Sequence, residues 1–188
     1  MIIAISGTPG CGKTSVAKVL RKQKYSVIDL KKFAIENGCV SGVDKKRDTR
    51  EIDVPKLNRK LEPAVSEMAK DDHIFIEGHL SHLLDFVDAV AILRCAPSAL
   101  AARLKNKRWR KAKVVENLQA EALGIITFEA LRLRKCKGDK IFEIDVTDSS
   151  PEETASKILR IISSRPPKSG ARISWSKDIM ENAEILYD

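Results

Sequence analysis

The amino-terminal stretch MIIAISGTPGCGKTS constrains the fold more than any other part of the chain. It reads as an apolar strand, a glycine-rich turn and the start of a helix, and it fits the pattern G-x-x-x-x-G-K-[ST] of a phosphate-binding loop. Glycines let the backbone approach phosphate oxygens closely, and a helix beginning near Gly12 adds partial positive charge. Lys13 is then expected to reach the β- and γ-phosphates, and the Thr14 hydroxyl to coordinate Mg²⁺. The alternative is a glycine-rich turn that matches by chance, which the strand-to-helix context disfavours.

Length and composition favour one domain that works without a membrane. The chain has 188 residues, of which 43% are hydrophobic and 32% charged, and no apolar run approaches the ~18–20 residues of a membrane span. The amino terminus lacks the basic residues of a signal peptide. Four cysteines stand far apart without a C-x-x-C pair, which argues against a zinc site or a disulfide framework. We therefore expect a cytoplasmic protein, and the net charge of +8 favours anionic ligands or partners.

Short apolar segments alternate with helical patterns along the chain. The predicted strands are Met1–Ser6, Tyr25–Ile28, His73–Glu77, Ala89–Cys95 and Ile141–Asp145. The predicted helices are Thr14–Lys24, Leu30–Asn37, Pro55 to about Lys70, Ser98–Asn106, Val114–Arg134 and Glu152–Ser163. This order predicts an α/β fold of the P-loop NTPase type, with a parallel five-stranded sheet and helices on both faces. The carboxyl ends of its strands should form the site.

Two further segments are dense in charge. Cys39–Val54 has no clear period, so we expect a functional or mobile loop. Arg103–Lys113 reads RLKNKRWRKAK, with seven of eleven residues basic. Such a run is often a solvated helix face, but here it interrupts two helices and suits a lid that clamps phosphate oxygens. Within it Trp109 could stack on a base or anchor the lid.

The long helix predicted at Val114–Arg134 should turn one apolar face to the core. The residues expected on that face are Leu118, Ala122, Leu123 and Ile126, with a bend possible at Gly124.

The third predicted strand ends in Glu77-Gly78-His79. A carboxylate at the end of a buried strand can hold the water shell of Mg²⁺ or polarise a nucleophile. Alternatively, Glu77 caps the following helix. His79 fits a structural or a catalytic role equally well, and His82 is expected to be exposed.

Several motifs together resemble one family. GTPGCGKTS, IEGH, LRC, RLKNKRW, ENLQAEAL and EIDVT resemble the atypical adenylate kinases of the isoenzyme-6 or CINAP type, found in archaea and eukaryotes. The resemblance extends from Met1 to about Ile162 and implies a core that converts ATP and AMP to ADP, with tolerance for other nucleoside monophosphates, and that also hydrolyses ATP. It further implies transient binding to a platform protein of the small ribosomal subunit, near rRNA, during ribosome maturation. Two rival hypotheses remain: a switching ATPase without a true acceptor, and an RNA-binding assembly factor that uses the basic lid.

The resemblance also implies roles by position. ATP phosphates would be bound by Gly10, Gly12, Lys13, Thr14 and Ser15, with Thr14 and Glu77 at the metal. Glu77 and His79 would act on magnesium and the attacking water, and Thr147 would contact adenine. Leu30–Asp53 would bind the monophosphate, and Arg103–Lys113 would be the lid.

This chain departs from the family pattern at two places. Glu77 stands where the family has Asp, and Lys107-Arg108 stands where it has Arg-Gly. Either Lys107 replaces the family arginine as phosphate clamp, or Arg108 does so in a shifted lid.

The carboxyl-terminal part is predicted to be separate from the kinase-like domain at residues 1–164. Residues 165–170, RPPKSG, read as a linker. The tail that follows, with Trp175, either folds back on the domain or docks on a partner, and we favour folding back.

Overall fold

The structure is a computed structural model, and it describes residues 1–44, 49–68, 73–105, 107, 109–133, 140–163 and 172–187. Its strands are β1 (Ile2–Gly7), β2 (Ser26–Asp29), β3 (Val40–Asp44), β4 (Thr49–Ile52), β5 (Ile74–Glu77), β6 (Ala89–Arg94) and β7 (Ile141–Asp145). Its α-helices are α1 (Lys13–Lys22), α2 (Leu30–Glu36), α3 (Val54–Glu67), α4 (Pro97–Lys105), α5 (Lys111–Ala122), α6 (Ile125–Leu133), α7 (Pro151–Ser163) and α8 (Ser176–Glu181). None of these helices is long and apolar enough to cross a membrane.

Five strands form one parallel sheet in the order β2-β5-β1-β6-β7. Alternate residues of β1 serve two cores, with Ile3 and Ile5 on one face and Ala4 on the other. The first core is covered by α1, α4, α5 and α7, and the second by α2, α3 and α6. The predicted five-stranded parallel sheet with helices on both faces is confirmed.

Local sequence explains where several helices begin. Asp29 accepts a hydrogen bond from the Lys32 backbone N–H at 2.9 Å and so caps α2. Asp53 caps α3 in the same way, at 2.9 Å from the Lys56 N–H. At α7, Ser150 and Glu153 form a capping box in which each side chain accepts from the other's backbone N–H. Asp29 is the last residue of β2, and Asp53 directly follows β4. These two caps therefore fix how the chain leaves the sheet and the hairpin.

The segment predicted as a loop at Cys39–Val54 contains a hairpin instead. β3 and β4 pair antiparallel, with an irregularity between Val40 and Gly42. The Asp53 N–H donates to the Cys39 carbonyl at 3.0 Å, which closes the base of the hairpin. The prediction was wrong because β3 alternates between half-buried and exposed positions and leaves Val43 outside, so no continuous apolar face marks it as a strand.

The single helix predicted at Val114–Arg134 is also wrong, since α5 and α6 are separate. Gly124 has φ +63° and ends α5, and its N–H donates to the Glu121 carbonyl at 3.0 Å. The change of direction leaves Leu123, expected in the core, 74% exposed. Gly124 breaks the helix rather than bending it.

The tail folds back on the domain, as favoured from the sequence. The Ser98 N–H donates to Asp178 at 3.0 Å, and the Gln119 side-chain amide donates to the Leu186 carbonyl at 2.8 Å. Leu186 itself joins the first core. The predicted linker at 165–170 lies outside the described residues, as does the boundary between the two predicted parts.

Candidate functional site

The phosphate-binding loop connects β1 to α1 at the centre of the sheet. Gly12 adopts φ +88° and precedes the first helical residue, Lys13. Gly10 has φ +106°, and an added Cβ would lie 2.7 Å from the end of the Leu100 side chain, so the position favours glycine. Thr14 and Ser15 are exposed on the first turn of α1. Backbone amides at such a helix start form an anion site.

Lys13 lies folded into the loop. Its side chain is 9% exposed, and Nζ donates to the carbonyls of Gly7 and Thr8 at 2.6 and 3.1 Å. Burial lowers the pKa of Lys13. Within the described part of the chain, the hydrogen bonds of the ammonium group go to these two backbone oxygens of the loop, and phosphate oxygens can take their place.

Glu77 lies at the end of β5 beside this loop. It pairs in register with Ile5 of β1 and with Asp29 of β2, so two carboxylates meet at one sheet edge. Glu77 is 5% exposed, and burial followed by the charge of Asp29 raises its pKa. A hydrogen bond from Thr14 acts in the opposite direction. Because the carboxylate faces Thr14, this contact favours a role in the site over a helix cap.

The donors at this edge fit Mg²⁺. The Thr14 hydroxyl and the Glu77 carboxylate offer hard oxygen ligands in mutual contact. Across the described ranges, no cluster of three or more His, Cys, Asp or Glu could cage a metal ion. Mg²⁺ commonly uses only one or two protein ligands together with substrate phosphates, so this pair is sufficient.

His79 and His82 have opposite environments. His79 is exposed to the cleft described below, where desolvation, then the charges of Lys13 and His82, lower its pKa to about 4. His82, expected to be exposed, is only 3% exposed. Its Nδ1 lies 2.9 Å from Ser6 Oγ and its Nε2 lies 2.9 Å from Glu129. The expectation was wrong because the short helix Ser81–Leu83 turns the ring inward, toward the end of β1 and α6.

Ser6 links the two histidines. Its hydroxyl donates to the His79 carbonyl at 3.2 Å while contacting the His82 ring. The buried His82 imidazole thus helps to hold the backbone of His79, whose own ring is exposed. Sequence reasoning missed Ser6 and Glu129. The signal for Ser6 was a polar residue ending an apolar strand directly before the phosphate loop.

A cleft of about 1170 Å³ opens beside the loop. It is bounded by Pro9 of the loop, by α2 and the hairpin, by Gly78 to Leu80, and by the segment around Trp109. The basic residues that line it are Lys31, Arg50, Arg110 and Lys113, and His79 also faces it. The structure therefore brings parts of the predicted monophosphate region and of the predicted lid to one cleft.

The lid candidates are only partly described. Lys107 Nζ lies 4.8 Å from the Trp109 ring centroid, and Lys113 Nζ lies 5.1 Å from it. Arg108 lies outside the described residues, so the choice between Lys107 and Arg108 as phosphate clamp stays a prediction. Arg103, the first residue of the predicted lid, belongs to α4 and donates to the carbonyls of Val146 and Thr147 at 2.7 and 2.8 Å.

Thr147 follows β7 at the same edge of the sheet. Its hydroxyl accepts from the Ala96 N–H at 3.0 Å. This contact joins the ends of β6 and β7 on the side of the loop away from β2. The position suits a wall of the nucleotide site, and contact with adenine stays a prediction.

Comparisons with known proteins agree with this geometry. Residues 3–124 match the family described as AAA domain. A protein of Thermococcus onnurineus named "Putative adenylate kinase" is 37% identical over 99% of this chain and 97% of its own length. A protein of the same name from Methanothermobacter thermautotrophicus is 38% identical over 86% of this chain and 89% of its own.

One solved structure supports the fold alone. TT1252 from Thermus thermophilus superposes with a TM-score of 0.54 at 17% identity, covering 87% of this chain and 96% of its own. The archaeal relatives are more than 30% identical to this chain over nearly its full length, which includes the phosphate loop and the strand ends around it. The chain therefore belongs, with these archaeal proteins, to the atypical adenylate kinase family.

Proposed function

We propose that this protein transfers the γ-phosphoryl group of ATP to AMP, or to another nucleoside monophosphate, with Mg²⁺ as cofactor. The observation that carries the proposal is the cleft beside the phosphate-binding loop, lined by Lys31, Arg50 and Lys113. A bare ATPase needs the loop but not a second basic cavity of nucleotide size. The names of the archaeal relatives support the same activity.

The geometry supports in-line transfer without a covalent intermediate. Lys13 would leave the carbonyls of Gly7 and Thr8 and bind the β- and γ-phosphates. The Thr14 hydroxyl and the Glu77 carboxylate would hold Mg²⁺, which neutralises developing charge on the phosphate oxygens. The protein's part is then to position two nucleotides and exclude water.

His79 supports a second, hydrolytic mode. Because its pKa is about 4, the ring is neutral at physiological pH and can accept a hydrogen bond from a water and orient it. It faces the acceptor cleft, where AMP would otherwise lie. We propose that, without an acceptor, Glu77 and His79 orient a water for attack on ATP.

A role in small ribosomal subunit maturation belongs to the same proposal. Its support is the motif resemblance together with a net charge of +8, which favours rRNA or a partner bound to it. The test is a pull-down from extract, with and without ATP, using a variant blocked in hydrolysis. Recovery of a small-subunit platform protein only with the blocked variant would support the role, and its absence in every condition would contradict it.

The test of the enzymatic proposal is ADP formation at fixed MgATP, with and without AMP. Transfer predicts a rate that rises at least about tenfold with AMP and yields two ADP for each AMP consumed. An unchanged rate with release of inorganic phosphate would identify a switching ATPase instead.

A further inference from the structure

Glu121 on α5 is a buried carboxylate that the proposed mechanism does not use. It is 2% exposed, and both of its oxygens accept hydrogen bonds. Oε2 accepts from the Thr8 hydroxyl at 2.5 Å, and Oε1 accepts from Arg94 Nε at 2.7 Å. A charge so deeply buried is stable only where its donors are held in place.

Thr8 connects this carboxylate to the catalytic lysine. Its side chain binds Glu121, while its carbonyl accepts from Lys13 Nζ at 3.1 Å and from the Cys11 N–H at 3.1 Å. Glu121 therefore holds Thr8 in place, and the Thr8 carbonyl in turn binds both Lys13 and the turn of the loop.

The carboxyl-terminal tail completes the same network. Trp175 Nε1 donates to Glu121 Oε1 at 3.1 Å, and the Arg94 guanidinium carbon lies 5.8 Å from the Trp175 ring centroid. The backbone N–H of Ile173 donates at 2.8 Å to Glu143, which also pairs with Arg94. A continuous chain of buried and partly buried polar contacts thus joins Ile173 and Trp175 to the phosphate-binding loop.

We infer that Glu121 is a positioning residue for the phosphate-binding loop, and that the docked tail, through Trp175, is part of the loop's support. Glu121 Oε1 accepts from three donors, namely the Trp175 indole N–H, Arg94 Nε and the Cys95 backbone N–H. Without the indole N–H two donors remain, and the carboxylate is held less firmly toward Thr8. The expected consequence for ATP rests on the proposed function, whereas the consequence for the loop itself does not.

The test uses substitutions around Glu121, because removing Glu121 itself would leave the buried Arg94 charge poorly paired. Thr8→Val removes the hydroxyl at constant shape, and Thr8→Ser keeps it. Trp175→Phe keeps a ring over Arg94 but removes the N–H donor. Met180→Ala alters an exposed tail residue and is the matched control.

Amide hydrogen exchange of residues 8–14 is measured in the full chain without nucleotide, after melting curves establish that each variant is folded. We expect exchange to rise about 5- to 10-fold in Thr8→Val and about 3-fold in Trp175→Phe, as for the loss of one hydrogen bond. Thr8→Ser and Met180→Ala should match wild type. The double variant should equal Thr8→Val, because the effect of Trp175 passes through the Thr8–Glu121 bond. The Kd for ATP should rise by similar factors.

Unchanged loop exchange in Thr8→Val or Trp175→Phe would overturn the inference, as would additive effects in the double variant. An effect of Met180→Ala as large as that of Trp175→Phe would also overturn it. Because exchange is read without nucleotide, a failure of AMP to stimulate ADP formation would contradict the proposed function and leave this result standing.

Discussion

The two sides of the site are built differently. On the loop side, Lys13 is buried at the start of α1 and is held by backbone oxygens of the loop, and Glu77 is buried at the end of the central strand β5. On the cleft side, Lys31 and Arg50 are exposed on α2 and on a two-stranded hairpin outside the main sheet. The difference indicates that the loop side is preorganised, whereas we expect the cleft side to gain its contacts when the proposed acceptor binds. Substitutions should therefore act on catalysis at the loop and on acceptor affinity at the cleft.

The largest effect is expected at Lys13. Lys13→Met removes the charge that the proposed mechanism brings to the transferred phosphoryl group, so kcat should fall on the order of 100- to 1,000-fold. The matched control is Lys18→Met, an exposed lysine on the same helix, which should stay within about twofold of wild type. Steady-state ADP formation measures both. A Lys13→Met enzyme near wild-type rate would contradict the assignment of the loop.

The next largest effect is expected at Glu77. Glu77→Gln keeps the shape but removes the charge next to Thr14, so activity should fall about 100-fold and require more Mg²⁺. Glu77→Asp, which restores the usual family residue, should lose less than about tenfold. The measurement is the rate of ADP formation of both variants as a function of Mg²⁺ concentration. Equal Mg²⁺ dependence in wild type and Glu77→Gln would exclude a role of Glu77 at the metal.

Two neighbouring lysines on α2 test the cleft side directly. Lys31 lines the cleft, whereas Lys32 points away and lies 3.8 Å from Glu36. Lys31→Ala should raise the KM for AMP about tenfold with little change in kcat or in the KM for ATP. Lys32→Ala should change neither. Equal effects of both substitutions would mean that general surface charge, rather than the cleft, attracts the acceptor.

The smallest expected effect concerns the ionisation of His79. Its pKa of about 4 means that the neutral ring is present throughout the physiological range and is lost only as pH falls through 4. NMR titration of the free protein should show this, and bound MgATP should raise the pKa because phosphate charge offsets that of Lys13. A free-protein pKa near 6.5 would contradict the desolvation of the His79 ring by the surrounding protein, and the ring would then be partly protonated near neutral pH.

Local sequence predicted the loop side well because its determinants are contiguous. The pattern from Gly7 to Thr14 predicts the loop, and the apolar runs predict the strands, each from neighbouring residues alone. Parallel pairing of these strands then brings Glu77 to the loop. The predicted strand Tyr25–Ile28 and the helix predicted from Leu30 leave Asp29 at their junction, but its pairing with Glu77 could be seen only from the strand register.

The rest could not be predicted because it depends on contacts distant in sequence. His82 is buried by Ser6 and Glu129, 76 and 47 residues away. Glu121 looked like one polar residue on a helix, yet its partner Thr8 is 113 residues distant. The hairpin is formed by pairing between strands that lack an apolar face of their own. Periodicity within a segment carries no signal for such contacts.

The central claim is that the cleft holds an acceptor nucleotide and not merely water. The most direct measurement is the reverse reaction, in which the purified protein receives only ADP and Mg²⁺ and nucleotides are separated over time. Phosphoryl transfer between two bound nucleotides predicts ATP and AMP in equal initial amounts, formed before any hydrolysis of the new ATP releases inorganic phosphate. Lys13→Met prepared in the same way should give neither product. Failure to form ATP from ADP, in a preparation that still hydrolyses ATP, would contradict the account.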